Sequence, residues 1–316
     1  MVHAILRHLR FAAAPAFAML LAPALLFAQY TPGSTDASAE DDGRLRVIAI
    51  FAHPDDADAK MGGTAALMAR AGHAVKFVSI TSGDAGHQSQ GGGALASRRR
   101  AEAAEAGRRL GIDEYVTLDN HDGELLPELH IRQQVIREIR KWNADVVLGL
   151  RPNDYHPDHR YAGVLVQDAA YMVVVPNVAP DTPPLRKNPV FLYMSDGFQK
   201  PNPFSHDIVV GIDEVIETKI RGLDAHQSQM YEWLPWVSGN LEDVPEDDDE
   251  RFEYLMDRWA QRSGRISPEQ KASLEKWYGP RRAAQFNYVE SFEICEYGHQ
   301  PTDEDIRRIF PMFAQD

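Results

Sequence analysis

The chain has 316 residues, is 44% hydrophobic and carries 33 basic against 47 acidic residues, a formal charge of -14. That suffices for a large core, as one elaborated domain or two small ones. The acidic surplus argues against partners that reward clustered Lys and Arg, namely nucleic acid and anionic membrane surfaces; the run Arg98-Arg99-Arg100 is too short to change this.

Residues 1–28 differ from the rest. Arg7 and Arg10 lie in a basic start without acids, Phe11 to Phe27 is almost entirely Ala, Leu, Phe, Met and Pro, and Leu26-Phe27-Ala28 precedes Gln29. This reads as a secretory signal peptide. Pro15 and Pro23 interrupt the run, which is also short for an uncleaved anchor helix. No cysteine near the cleavage point supports a lipid anchor, and Cys295, the only cysteine, cannot form an internal disulfide. The expectation is a periplasmic or secreted protein with no stable membrane anchor after cleavage. Residues 29–44 are Ser, Thr, Gly, Asp and Ala with little to bury, a flexible linker.

From Leu45 onward strand-like and helix-like segments alternate. Strands are expected at 46–51, 75–81, 115–118, 145–150, 190–194 and 208–212, and helices at 61–71, 95–110, 128–142, 161–173 and 214–229. Short apolar runs separated by helices of ten or more residues predict an α/β fold, a Rossmann-like, mostly parallel sheet with helices on both faces. A catalytic α/β domain is placed at 45–235, and 236–316 is read as an acidic loop and a C-terminal helical and strand extension packed on it. Within that extension Glu246 to Glu250 is read as a solvated loop, since it lacks the spacing and Gly of a calcium loop. Helices are expected at 252–261 and 268–277, the second starting from a Ser267/Gln270 capping box.

Ligands of open α/β sheets bind outside the carboxyl ends of the strands. That rule gathers His53, Asp55 and Asp56 after the first strand, Asp84 after the second, Asp119 to Asp122 after the third and Tyr155 to His159 after the fourth. Four strand ends bringing ionisable groups to one edge predict a functional site. Histidine with carboxylate suits zinc, and a hydrolytic zinc needs three protein ligands and an open position for water. Pro54 constrains the first loop, so that one of the consecutive acids can bind metal while its neighbour takes a proton from water.

The segments Ala52-His53-Pro54-Asp55-Asp56-Ala57-Asp58, Gly62-Gly63-Thr64, Arg99 with Glu102, Leu110-Gly111, His156-Pro157-Asp158-His159 and Ala225-His226-Gln227-Ser228-Gln229 resemble the LmbE/PIG-L family of zinc-dependent N-acetylglucosaminyl deacetylases. The resemblance covers about residues 45–165 and, more loosely, 213–229. It implies His53, Asp56 and His159 as Zn2+ ligands, Asp55 as general base and His156 as the electrophile facing the oxyanion, with a substrate bearing an N-acetyl group. It further implies that Arg99 and Asp84 contact substrate, although Arg99 also reads as a helix-surface charge paired with Glu102 or Glu105. Tyr155 is either an oxyanion donor or a packed loop aromatic, Asp122 either a site acid or part of an Asp122-Gly123 turn, and His226 either closes the pocket or is an ordinary core or surface histidine. The family most often has Glu where this chain has Asp58, which implies an adjusted supporting contact and an intact site.

Two other readings stand beside this one: a zinc amidase acting on a non-sugar amide, and a non-catalytic carbohydrate-binding protein. Gly91-Gly92-Gly93 suggests a nucleotide loop only weakly, because no Lys-Ser/Thr follows it.

Overall fold

The computed structural model describes residues 43–314. The expected leader and all but the last two residues of the expected linker lie outside the described residues. Strand β1 (Arg46–Phe51) is followed by helix α1 (Asp56–Arg70), β2 (Ala74–Thr81), α2 (Gly92–Leu110), β3 (Glu114–Asn120), α3 (Leu129–Trp142), β4 (Val146–Gly149), α4 (Pro157–Met172) and β5 (Val190–Met194). β1 is buried from Val47 onward and β2 throughout. Strands covered on both faces lose the in-out alternation of half-exposed ones, which is why these segments read as nearly unbroken apolar runs.

Next come β6 (Ile208–Gly211), α5 (Ile216–Asp224), α6 (Leu234–Ser238), α7 (Asp248–Ser263), α8 (Pro268–Tyr278) and β7 (Val289–Gly298). The seven strands form one sheet in the order β3-β2-β1-β4-β5-β7-β6. β1 to β5 run parallel, and β7 is antiparallel to both β5 and β6. α1 and α2 pack on α5, whereas α3 packs on α4, as expected when right-handed crossovers proceed outward from β1 in both directions. The order reverses between β1 and β4, and the loops leaving these two strands open a crevice at that switch point.

Several elements differ from expectation. α1 begins five residues earlier, so that Asp56 and Asp58 occupy its first turn, where acids favour the helix dipole. The helix expected over 214–229 is broken into a 3-10 turn at Asp213–Val215, α5 and a π-helical segment at Ser228–Trp233. The acidic run is a solvated loop only at Glu246 and Asp247: Asp247 caps α7 by accepting from the backbone N–H of Asp249 and Glu250, and Asp248 to Glu250 form its exposed first turn. The Ser267/Gln270 capping box of α8 is present.

The C-terminal extension enters the sheet itself through β7, which lies between β5 and β6. From β7 the buried Glu290 carboxylate accepts from the backbone N–H of Gly63 (3.0 Å) and Thr64 (2.7 Å) in α1 and pairs with the buried Lys219 of α5 at 2.8 Å. The helix that begins at Asp56 is thereby tied to the opposite end of the chain. Gly63 permits a close approach here, since a Cβ would lie 2.9 Å from Ile212. No described helix is long and apolar enough to cross a membrane.

Candidate metal centre

β1 delivers His53, Asp55 and Asp56, and β4 delivers the turn from Arg151 to His159. The second half is held by close packing: Gly163, one turn after His159, presses on the backbone of the β4 exit, where a Cβ would lie 2.6 Å from the Leu150 carbonyl. His156 is the N-cap of α4, and its Nδ1 accepts from the Asp158 N–H at 3.2 Å. A neutral His156 ring therefore carries its proton on Nε2, the nitrogen left to act as a donor.

Two of the expected donors lie beside a third, His159 Nε2. His53 Nδ1 faces His159 Nε2 at 3.2 Å, and His159 Nε2 lies 3.2 Å from Asp56 Oδ1. The far side of each donor is occupied by protein. Asp56 Oδ2 accepts from the backbone N–H of Ala52 (3.2 Å) and His53 (2.9 Å). His159 Nδ1 is 3.0 Å from Asp154 Oδ1. His53 Nε2 lies 2.9 Å from Asp122 Oδ1 and 3.3 Å from Asp158 Oδ2, close enough for ion pairing though off the line of a good hydrogen bond. Ligand histidines are generally oriented in this way, with a carboxylate on the other ring nitrogen. His156 also approaches: its ring centroid is 4.7 Å from that of His53, and nitrogens of His53, His156 and His159 come within 4.8 Å of one another.

The electrostatics favour positive charge at this point. Burial alone would lower the His53 pKa, but Asp122, Asp158 and Asp56 outweigh it and hold His53 at about 10. Burial likewise opposes the charge on His159, and Asp56 with Asp154 raises it to about 9. For Asp56 burial works against ionisation, and the two histidines overcome it, pulling the carboxyl far below its ordinary range. The His159 nitrogen, with the His53 nitrogen and an Asp56 carboxylate oxygen each 3.2 Å from it and surroundings that reward a cation, has the donor chemistry of a divalent metal site.

Asp55 behaves differently from its neighbour. Burial pushes its pKa up to about 6; Arg99 opposes the shift and Asp56 adds to it. Its backbone has a φ of 136°, an unusual conformation for a residue other than glycine, at the N-cap of α1. The Asp55 carboxylate accepts from Arg99 at 3.2 Å. Arg99 is only 2% exposed, so it is no surface charge, and it also donates to the carbonyls of Pro54 (2.7 Å) and Gly83 (3.3 Å). Gly83, at a φ of +67°, leaves the space its guanidinium fills.

The remaining expected residues fall around this centre in distinct ways. Asp84 is buried, accepts from the Asp122 N–H at 2.9 Å and pairs with His121 at 2.6 Å, shaping the loop that holds Asp122. Asp122 is more than a turn residue: its contact with His53 keeps its pKa at about 2 against the effect of burial. Tyr155 is 73% exposed, and its ring centroid stands 5.8 Å and 5.5 Å from those of His156 and His159, at the rim. His226 is fully buried, with Nε2 3.3 Å from Asp58 Oδ1, and Asp58 Oδ2 accepts from the Tyr115 hydroxyl at 2.8 Å. Asp58 thus turns away from the three donors into a buried Asp58–His226–Tyr115 group. Asp154 was given no part by the sequence, and Asp158 only a place in a motif; the rule that a ligand histidine has a carboxylate behind it would have pointed to nearby acids, though not to which one.

The family profile PIG-L, described as GlcNAc-PI de-N-acetylase, matches residues 48–170. Diacetylchitobiose deacetylase of Thermococcus kodakarensis is 32% identical over 203 residues, 60% of this chain and 73% of that one. The probable N-acetyl-alpha-D-glucosaminyl L-malate deacetylase 2 of Bacillus cereus is 27% identical over 193 residues, 58% of this chain and 83% of that one. Among solved structures, N,N'-diacetylchitobiose deacetylase from Pyrococcus horikoshii, complexed with its inhibitor MPG, aligns with a TM-score of 0.58 and 26% identity over 79% of this chain and 83% of that one. With the sheet order, the paired loops and these similarities in agreement, the chain belongs to the PIG-L (LmbE-like) family.

Proposed function

We propose that this protein is a zinc-dependent hydrolase that removes the N-acetyl group from a glycan containing N-acetylglucosamine. The observation that carries the reading is the placement of His53 and Asp56 each 3.2 Å from His159 Nε2, with all three braced from behind by backbone or carboxylate. The relatives that are deacetylases of diacetylchitobiose and of an N-acetylglucosaminyl malate support the substrate class. Residues 53, 56 and 159 would hold Zn2+, which when bound supplies a Lewis acid and lowers the pKa of water.

The chain's own groups then divide the work. Asp55, kept basic by burial yet ionised at neutral pH, takes a proton from the attacking water. The His156 Nε2–H donates to the oxygen of the former carbonyl as it gains negative charge. The C–N bond breaks, the proton held on Asp55 passes to the departing nitrogen, and acetate and a free amine result. Arg99 positions Asp55, and Asp122 and Asp154 fix the two histidine rings.

We also propose that residues 1–28 direct export to a periplasm or the medium, which would favour envelope or environmental glycans as substrates. The test of function is mass spectrometry of N-acetylated glycans incubated with zinc-loaded protein. A product lacking one acetyl group is expected, and no product across free sugars, chitin fragments and peptidoglycan fragments would reject the proposal.

A further inference from the structure

The π-helical segment Ser228–Trp233 and α6 carry two tryptophans that the centre above does not use. Trp233 and Trp236 stack, with ring centroids 5.4 Å apart and planes within 16°. Trp233 adjoins the site: a Cβ placed on Gly86 would lie 3.2 Å from Asp122 Oδ2, 3.4 Å from the Arg99 guanidinium and 3.7 Å from Trp233 Nε1. Trp236, farther out, is 50% exposed, and one of its faces is covered by Trp233.

The segment is held rigidly. Glu232 receives Arg98 through two nitrogens and lies 2.7 Å from His87 Nε2, Glu102 accepts from the N–H and hydroxyl of Ser228, and Gln229 donates to the Gly86 carbonyl at 3.0 Å. The indole N–H groups of Trp142 and Trp277 each have a carbonyl partner, Val47 and Asp207. Trp233 Nε1, like the indole nitrogens of Trp236 and Trp259, makes no hydrogen bond to any other described residue, and it is not among the fully buried unpaired atoms, which leaves it open to a ligand beside the site. An indole donor beside a polar site, backed by a second aromatic and fixed by buried polar contacts, is the arrangement a ligand needs that offers both an apolar face and hydroxyls. A pyranose ring is such a ligand: its axial C–H groups pack on aromatic faces while its hydroxyls take edge donors.

We infer that the Trp233–Trp236 pair is a ledge for the sugars beyond the N-acetylated residue, so that the substrate is an oligosaccharide and not a monosaccharide. This rests on the deacetylase reading for the reacting end only. Occupation by a second copy of the chain is the competing use of an exposed tryptophan, and continuity with the Asp122 and Arg99 side of the site favours the glycan.

The test compares kcat/KM for acetate release from N-acetylglucosamine, N,N'-diacetylchitobiose and N,N',N''-triacetylchitotriose, using zinc-loaded full-length protein and its Trp236→Ala, Trp236→Phe and Trp233→Ala variants. The wild type should prefer the longer substrates. Trp236→Ala and Trp233→Ala should each reduce that preference about tenfold, mainly through KM, and Trp236→Phe should retain most of it. An unchanged preference in both alanine variants overturns the inference, as does a change of subunit number in Trp236→Ala with the preference intact. If the wild type releases no acetate at all, the proposed function fails and calorimetric titration with triacetylchitotriose decides the ledge separately. Binding that Trp236→Ala weakens about tenfold sustains it; no binding, or equal binding, overturns it.

Discussion

Replacing Asp55 by asparagine separates proton transfer from metal binding. The new side chain would keep a carbonyl oxygen for Arg99, which retains its contacts with the Pro54 and Gly83 carbonyls, so the loop stays anchored. Asparagine is also among the residues that best tolerate a positive φ, as position 55 demands. None of His53, Asp56 and His159 is touched, so zinc content should stay at the wild-type level. What is lost is the base, worth about 10²–10⁴ in rate, or about 3–5 kcal/mol of activation free energy. Stability should move the other way. Burial raises the Asp55 pKa from 3.8 to about 6, so the ionised form weakens the fold increasingly as pH rises above the unfolded value and fully above the folded one. The asparagine variant should therefore melt at or above the wild-type temperature at pH 8. The assays are acetate release, metal analysis and thermal unfolding of the same preparations. Wild-type turnover by the variant would remove Asp55 from the mechanism, and loss of zinc together with activity would make it a ligand instead.

The same ionisation sets a pH dependence. The base must be charged, so kcat/KM should fall as pH drops, with an acid limb at or below about 6, because a bound cation can only move the Asp55 value downward; an acid limb well above 6, or a rate that rises as pH falls through 6, would contradict it. Asp122→Asn removes the carboxylate behind His53 Nε2 and should weaken zinc affinity roughly 10–100-fold in a competition titration with a chelator. Glu290→Gln leaves Lys219 buried without its counter-charge, a loss of about 3–5 kcal/mol read as a fall in melting temperature; Lys219→Met in that background should recover part of it. Chelation should lower the melting temperature and zinc at a hundred times its Kd should restore about 2.7 kcal/mol, whereas an unchanged melting curve would argue against a folded-state metal site.

What the sequence disclosed was local chemistry. The apolar runs of β1 and β4 and the clusters His53 to Asp58 and His156 to His159 are contiguous, so both halves of the site could be found and assigned to one edge by the strand-end rule. What it concealed depended on partners far along the chain. The sequence predicts a strand in the C-terminal extension without bounds, because Glu290, Glu293 and Glu296 interrupt the apolar residues of β7; one of those acids is accommodated by Lys219, 71 residues away. The start of α1 at Asp56 and that of α7 at Asp248 have acids in place of apolar periodicity; the Asp247 cap marks α7, whereas Asp55 makes no capping hydrogen bond and only the buried later turns mark α1. The break between the end of α5 at Asp224 and the segment starting at Ser228 is accompanied by the polar anchors of Glu102, Arg98 and His87, which no local pattern announces. Asp154 and Asp122 became visible as braces only once the histidine rings had directions.

The proposed function requires that His53, Asp56 and His159 hold zinc and that the zinc form cleaves an N-acetyl amide. The most direct measurement is to strip the protein of metal, titrate zinc back, and follow acetate release from N,N'-diacetylchitobiose against bound zinc. Release should rise in proportion to occupancy and saturate at one zinc per chain. Acetate release that is independent of occupancy, or none from the fully zinc-loaded protein, would rule out a zinc deacetylase.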